Sequence, residues 1–299
     1  MKPGAASVSA ELRLPANRLA DFVELTKPEV TGLVVVSAFA GFYLGAQGAL
    51  DWLLLWHTLA GTTLVSAGTA AFNHYLERSE DGLMRRTAQR PLPAGRLAPR
   101  SAFWFAATLS AVGVLYLFVA VNALAGLLAF ATWASYLFFY TPLKKRTIHC
   151  TTVGAFPGAM PPLIGWAAAS GTLDLNAAVL YAILFFWQFP HFLSIAWIYR
   201  EDYARGGLLM LPVVDPEGRA TGRQMVAHSV LLLGASLLPT YLGLAGAMYF
   251  WGALALSAAF LFCALAMALA PTTANARRLL QASIFYLPLL FAFLMLDKT

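Results

Sequence analysis

The chain has 299 residues, 60% of them hydrophobic and only 11% charged, with a formal net charge of +6 and a mean hydropathy of +0.68. Soluble domains carry about 25% charged residues, so these values exclude disorder and point to a polytopic membrane protein. The positive balance is no mark of nucleic acid, because the basic residues lie in loops between apolar runs, where anionic lipid headgroups attract them.

In chain order, residues 1–29 read as a polar cytoplasmic arm. They lack a continuous apolar core before Val30, so no secretory signal is expected, and an interfacial segment is expected near Leu19–Leu25. Nine apolar runs follow, each long enough or nearly so to cross ~30 Å of hydrocarbon at about 20 residues apiece. They are Val30–Ala46, Trp52–Leu76, Ala102–Val121, Ala123–Tyr140, Thr152–Ala169, Leu175–Tyr199, Met225–Leu242, Ala247–Ala270 and Leu279–Leu296. Nine spans put the arm and the loops at 77–101, 141–151, 200–224 and 271–278 on one side. Those segments hold 19 of the 20 Lys and Arg residues, leaving only Lys298 opposite. The excess of positive charge places this side in the cytoplasm and the C-terminus outside. Residues 30–299 are expected to form one intramembrane domain. Cys150 and Cys263 lie too far apart in the sequence, in apolar or cytoplasmic settings, to suggest a disulfide framework.

The second run leads directly into NHYLERSEDGLMRRTAQRPLPAGRL, three carboxylates and five arginines in an otherwise apolar protein. If the helix continues past the membrane surface, Asn73, Glu77 and Asp81 share a face at i, i+4 and i+8. Glu80 falls near the same face, and spacing alone does not choose between it and Asp81. Clustered amide and carboxylate oxygens suit Mg²⁺, which binds through one or two carboxylates plus phosphate oxygens and water. Arg78, Arg85, Arg86, Arg90 and Arg96 supply planar donors able to grip phosphate. A second loop after the sixth run repeats the pattern, with Gln188 and His191 inside the run and Arg200, Glu201, Asp202 and Arg205 beyond it. Lys144, Lys145 and Arg146 add three successive cations between them. Two acidic poles facing one cavity would hold a diphosphate through two metal ions. An anionic head with a greasy tail is the expected ligand.

These motifs resemble the UbiA-type intramembrane prenyltransferase superfamily, and within it the protohaem IX farnesyltransferase (haem O synthase) branch. The pattern N-x-x-x-[DE]-x-x-x-D-x-x-M-x-R-T-x-x-R-P-L is matched by Asn73, Glu77, Asp81, Met84, Arg86, Thr87, Arg90, Pro91 and Leu92. TKP at 26–28, YTPLKKRT at 140–147, GAFPGAMPPLIGW at 154–166, WQFPHFLSIAW at 187–197 and YREDYARGGLLMLPVV at 199–214 follow in order. The PPLIGW and WQFPHF stretches carry the likeness to the haem branch. Glu77 departs from the Asp of many members but keeps the ligand type.

The resemblance implies a nine-helix bundle around a central cavity. It also implies transfer of the farnesyl group of farnesyl diphosphate to a vinyl group of protohaem IX, with addition of water, to make haem O for haem-copper oxidases. Metal ligation then falls to Asn73, Glu77, Asp81 and Asp202. Diphosphate binding falls to Arg78, Arg86, Arg90, Lys144, Lys145, Arg146 and Arg205. Mg²⁺ is the expected cofactor, haem A synthase a candidate partner, and the bacterial inner membrane the expected location, with the active site on the cytoplasmic side. His191 and Gln188 are candidates for a haem pocket, His191 as an axial ligand or propionate partner. Phe72, Tyr75, Tyr140, Phe185 and Trp187 are candidates to shield carbocations, against ordinary apolar packing. Pro157, Pro161 and Pro162 are expected to kink the fifth span, with Gly154 and Gly158 as close-packing positions. Two rivals stand beside this reading: prenylation of an aromatic quinone precursor, and transport of an anionic amphiphile.

Overall fold

Four of the described helices start at side chains that satisfy backbone groups the helix itself leaves unpaired. The computed structural model describes residues 18–299; the first 17 residues of the expected arm lie outside the described residues. The elements are α1 (Arg18–Leu25), α2 (Pro28–Gly45), α3 (Trp52–Leu76), α4 (Arg78–Asp81), α5 (Pro99–Ala120) and α6 (Ala123–Ala134). A π-helix, Ser135–Tyr140, continues α6 into α7 (Thr141–Leu143), followed by α8 (Cys150–Gly158), α9 (Pro161–Ser170) and α10 (Leu175–Ile198). The chain ends with α11 (Arg200–Arg205), α12 (Leu211–Val214), α13 (Arg219–Tyr241), α14 (Ala247–Leu269) and α15 (Thr273–Leu296). Asp51, Asn122, Asp174 and Thr272 cap α3, α6, α10 and α15, each side chain accepting a first-turn amide. Pro28 and Pro99 stand in first turns, where a missing N–H costs nothing.

Six described helical segments are long and apolar enough to cross a membrane: Pro28–Gly45, Pro99–Ala120, Ala123–Leu143, Leu175–Ile198, Ala247–Leu269 and Thr273–Leu296. The second and seventh expected spans are α3 and α13, helices of 25 and 23 residues whose polar and small side chains dilute their apolar content. The fifth is broken in two. Pro157, Pro161 and Pro162 explain the break, since proline removes an amide and its ring collides with the carbonyl four residues back. Length and hydropathy thus account for six of the nine expected crossings, and the rest of the count stands on loop charge.

Packing is close where side chains are small. A Cβ on Gly41 would lie 2.0 Å from Pro162 O, and one on Gly165 1.9 Å from Ala38 O, so α2 and α9 meet backbone to backbone. The largest core joins α10, α13, α14 and α15. Within it Tyr286 OH lies 2.8 Å from both Ser236 Oγ and Ser257 Oγ, while Tyr249 OH donates to Ser236 O at 2.7 Å. Large apolar side chains also cover the outside, among them Trp52, Trp56, Val119, Phe262 and Leu269. An apolar exterior of this kind belongs against lipid. The protein is a multi-pass membrane protein.

Candidate active site

The carboxylates at the end of α3 are buried, and each is matched by a cation from elsewhere. The helix does not run straight through as the spacing suggested. It stops at Leu76, and Glu77, at φ −96° and ψ 9°, joins it to the short α4. The bonds Glu77 N to Asn73 O at 2.9 Å and Asp81 N to Glu77 O at 2.8 Å still carry the i→i+4 pattern across the joint. Asn73, Glu77, Glu80 and Asp81 are all buried.

Lys144 Nζ donates to Glu77 Oε1 at 2.5 Å, and Lys145 pairs with Glu80. Arg90 Nη1 lies 2.8 Å from each oxygen of Asp81. Burial alone would lift the Glu77 carboxyl, but the Lys144 ammonium and its hydrogen bond, helped by Lys27, hold it below the usual carboxylate range. Lys144 is pushed the other way: burial lowers it, yet Glu77 keeps it well above the ordinary lysine value.

The second acidic loop reaches the first. Asp202 Oδ1 pairs with Arg205 and accepts the backbone N–H of Arg85 at 3.1 Å, across 117 positions of sequence. Burial opposes ionisation of Asp202, and the bonds from Arg205 and Arg85 overcome it, holding the carboxyl below its ordinary value. A cleft of about 270 Å³ beside this contact is lined by Arg85, Tyr199, Arg200, Asp202 and Arg205 among others. The structure therefore brings together Asn73, Glu77, Asp81, Arg90, Lys144 and Lys145 in one cluster, and joins Asp202 and Arg205 to it through the turn at Arg85.

Other expected residues stand apart. Arg78 folds back over the Tyr75 ring, 4.5 Å from its centroid, and donates to Tyr75 O at 2.6 Å. Arg86 is exposed and lies over Tyr199. Arg146 is exposed, with no ion pair or side-chain hydrogen bond among the described residues. Gln188 is spent on packing: its amide donates to Ala155 O and Leu184 O, and a Cβ on Gly158 would strike its oxygen. His191 meets Ser283 on α15 rather than the acidic cluster. Of the aromatic candidates, Tyr140 lies nearest the site, with Lys144 Nζ 4.6 Å from its ring centroid. Phe72 and Tyr75 pack on Phe103, and Phe185 packs among Phe156, Tyr181, Phe186 and Phe189.

One participant was missed as a site residue, and a second was left open. Lys27, held at φ 45°, donates from Nζ to Asn73 Oδ1 at 2.7 Å. Burial, then the positive charge of Arg90, brings its pKa down to about 7. Its sequence signal was the TKP match alone. Glu80, left open beside Asp81 by spacing, is drawn into the cluster by Lys145, with Oε2 buried and, like Asn73 Nδ2, without a hydrogen-bond partner among the described residues.

Among the described residues no three His, Cys, Asp or Glu side chains converge tightly enough to cage an ion by themselves. Mg²⁺ does not require such a cage, because one or two carboxylates suffice when phosphate and water complete its shell. The all-oxygen donor set and the unpaired Glu80 oxygen fit such an ion, and the neighbouring Lys and Arg fit the phosphate.

Residues 34–293 match the UbiA prenyltransferase family. The chain belongs to that family. Among its UbiA relatives, a protoheme IX farnesyltransferase of Solibacter usitatus is 49% identical over 287 residues, covering 93% of this chain and 98% of the relative. One of Koribacter versatilis is 47% identical, covering 98% and 99%. UbiA-type folds also align in three dimensions. A digeranylgeranylglyceryl phosphate synthase structure gives a TM-score of 0.79 at 16% identity, covering 94% of this chain and 98% of that one. A UbiA homologue from Archaeoglobus fulgidus bound to DMAPP and Mg²⁺ gives 0.64 at 16% identity, covering 92% and 99%.

Proposed function

We propose that the chain is a protohaem IX farnesyltransferase acting from the cytoplasmic side of the bacterial inner membrane, as one domain from residue 30 onward. The observation that carries this reading is 49% identity to a relative of that name along nearly the whole chain. The paired acidic loops joined at Asp202 and Arg85 support it.

Asn73, Glu77, Glu80, Asp81 and Asp202 would hold Mg²⁺, which when bound neutralises charge on a departing diphosphate. Lys144, Lys145, Arg90 and Arg205 lie beside those carboxylates, each paired with one of them, and would bind the phosphate oxygens. Preorganised charge of this sort is commonly the largest catalytic contribution. The bond from the farnesyl C1 to the diphosphate oxygen breaks and its electron pair leaves with the diphosphate. The vinyl π-electrons form the new carbon–carbon bond, water adds its oxygen to the resulting cation, and one proton is released. Tyr140, whose ring lies against Lys144, would offer a π-face to developing positive charge.

Mass spectrometry of haems from cells expressing the chain tests the reading. Protohaem should gain one farnesyl group and one water. Unmodified protohaem alongside a prenylated hydroxybenzoate or naphthoate would overturn it in favour of a quinone-precursor enzyme. Turnover in detergent should also stop in chelator and return with Mg²⁺; undiminished turnover in metal-free buffer would remove the metal from the site.

A further inference from the structure

His191 is the one candidate haem residue with a chemically informative environment, and that environment comes from the last helix, outside every motif of the sequence. Its Nδ1 lies 2.7 Å from Ser283 Oγ. The same hydroxyl lies 2.5 Å from Leu280 O. A carbonyl oxygen only accepts, and two acceptors at that separation would repel, so the single hydroxyl hydrogen points to Leu280 O. Toward His191 the serine oxygen is therefore the acceptor, and Nδ1 carries the imidazole hydrogen. The lone pair is left on Nε2, which has no hydrogen-bond partner among the described residues, and the residue is only partly buried.

The ring is also fixed in orientation. Trp187, one turn earlier on α10, stacks on it with centroids 4.6 Å apart and planes 21° apart. The indole N–H is in turn held at 3.0 Å by the backbone carbonyl of the same Ser283. Phe192 closes another side, edge-on at 5.2 Å. Ser283 is fully buried. One residue thus grips both rings, through its side chain for the histidine and its carbonyl for the tryptophan. His191 lies seven residues before the end of α10, roughly 10 Å inside the bundle from the loop that carries Asp202.

We infer that Ser283 is a positioning residue that holds His191 as the Nδ1–H tautomer, so that Nε2 is presented as a neutral nitrogen donor to the iron of a porphyrin acceptor. The inference rests on the haem reading above and names how the acceptor is seated. Histidines that ligate metals commonly donate their other ring N–H to a second group that fixes tautomer and basicity, and losing that group typically weakens binding 10–100-fold. An interhelical hydrogen bond serving only to glue α10 to α15 is the competing account.

Ferric haem titrated into the detergent-purified full-length protein decides between them, read by absorption and electron paramagnetic resonance. The wild-type protein should show a histidine-ligated spectrum that His191→Ala abolishes. Ser283→Ala keeps the backbone carbonyl that holds Trp187, yet should alter the spectrum and weaken haem binding roughly tenfold or more. Ser283→Thr, retaining the hydroxyl, should resemble wild type. Identical spectra and affinities for wild type and Ser283→Ala would overturn the positioning role, and a His191→Ala spectrum equal to wild type would overturn ligation. In either case farnesylated haem in cell extracts would leave the proposed function standing. Absence of both haem binding and farnesylated haem would overturn the two together.

Discussion

Asp81 and Asp202 lie on different loops and are tied to one cluster through the Arg85 backbone. Replacing either with Ala should lower turnover about a hundredfold or more, the scale of losing one preorganised electrostatic contact. The double variant should lose far less than the product of the two, because residues acting as a unit are not additive; single-turnover rates in detergent would show this. An Asp202→Ala protein with normal turnover would reduce that side chain to a partner of Arg205. Glu77 and Lys144 call for a stability measurement instead. Removing one charge from a buried pair strands the other and costs roughly 3–5 kcal/mol, so Lys144→Met should melt well below wild type. Adding Glu77→Gln should recover much of the loss in thermal unfolding while leaving the enzyme inactive. The acids and Arg90 were legible because motif spacing is local. Lys27 was not, since it meets Asn73 from 46 positions away and only tertiary packing brings them together.

Apolar runs located the long helices and prolines the break in the fifth span, because each of those signals is confined to the stretch it marks. The π-helix Ser135–Tyr140 had no such signal. Its stretch, SYLFFY, reads like any apolar helical segment, and the widened turn shows only in three dimensions. π-Bulges often accompany functional sites, and this one carries Tyr136 and Tyr140 toward Lys144, with Tyr140 seated against Gly154. A Cβ on Gly154 would lie 2.5 Å from the Tyr140 ring. Gly154→Ala should therefore cost about 1–3 kcal/mol through overpacking and lower activity by displacing Tyr140. An unchanged melting temperature and unchanged turnover would mean that the ring simply moves aside.

At the scale of the molecule, the chain ends by fastening the face opposite the acidic loops. Lys298 Nζ donates to Tyr43 O and Ala46 O at 2.8 and 2.7 Å, where α2 finishes, and Asp297 Oδ2 accepts Tyr249 N at 2.7 Å in the first turn of α14. A cation on terminal carbonyls and a carboxylate on first-turn amides both oppose the helix dipoles favourably. Lys298→Met should cost about 1 kcal/mol in detergent without changing the rate of prenyl transfer, and thermal melting beside an activity assay would separate the two. The charge count that singled out Lys298 set it on the far side of the membrane; why one cation belonged there became visible only in its contacts.

The separation between Arg85 and Asp202 also bears on how the protein is made. At about 5–20 residues per second of synthesis, the 117 positions between them represent roughly 6–23 s. During that interval Asp81 already has Arg90 within its own loop, nine residues on. Glu77 and Glu80 must wait for Lys144 and Lys145 to emerge before their charges can be buried with partners. The first acidic loop is therefore expected to stay hydrated until those cations arrive. Its enclosure is expected to begin with the arrival of the middle of the chain and to be completed only when Asp202 reaches Arg85.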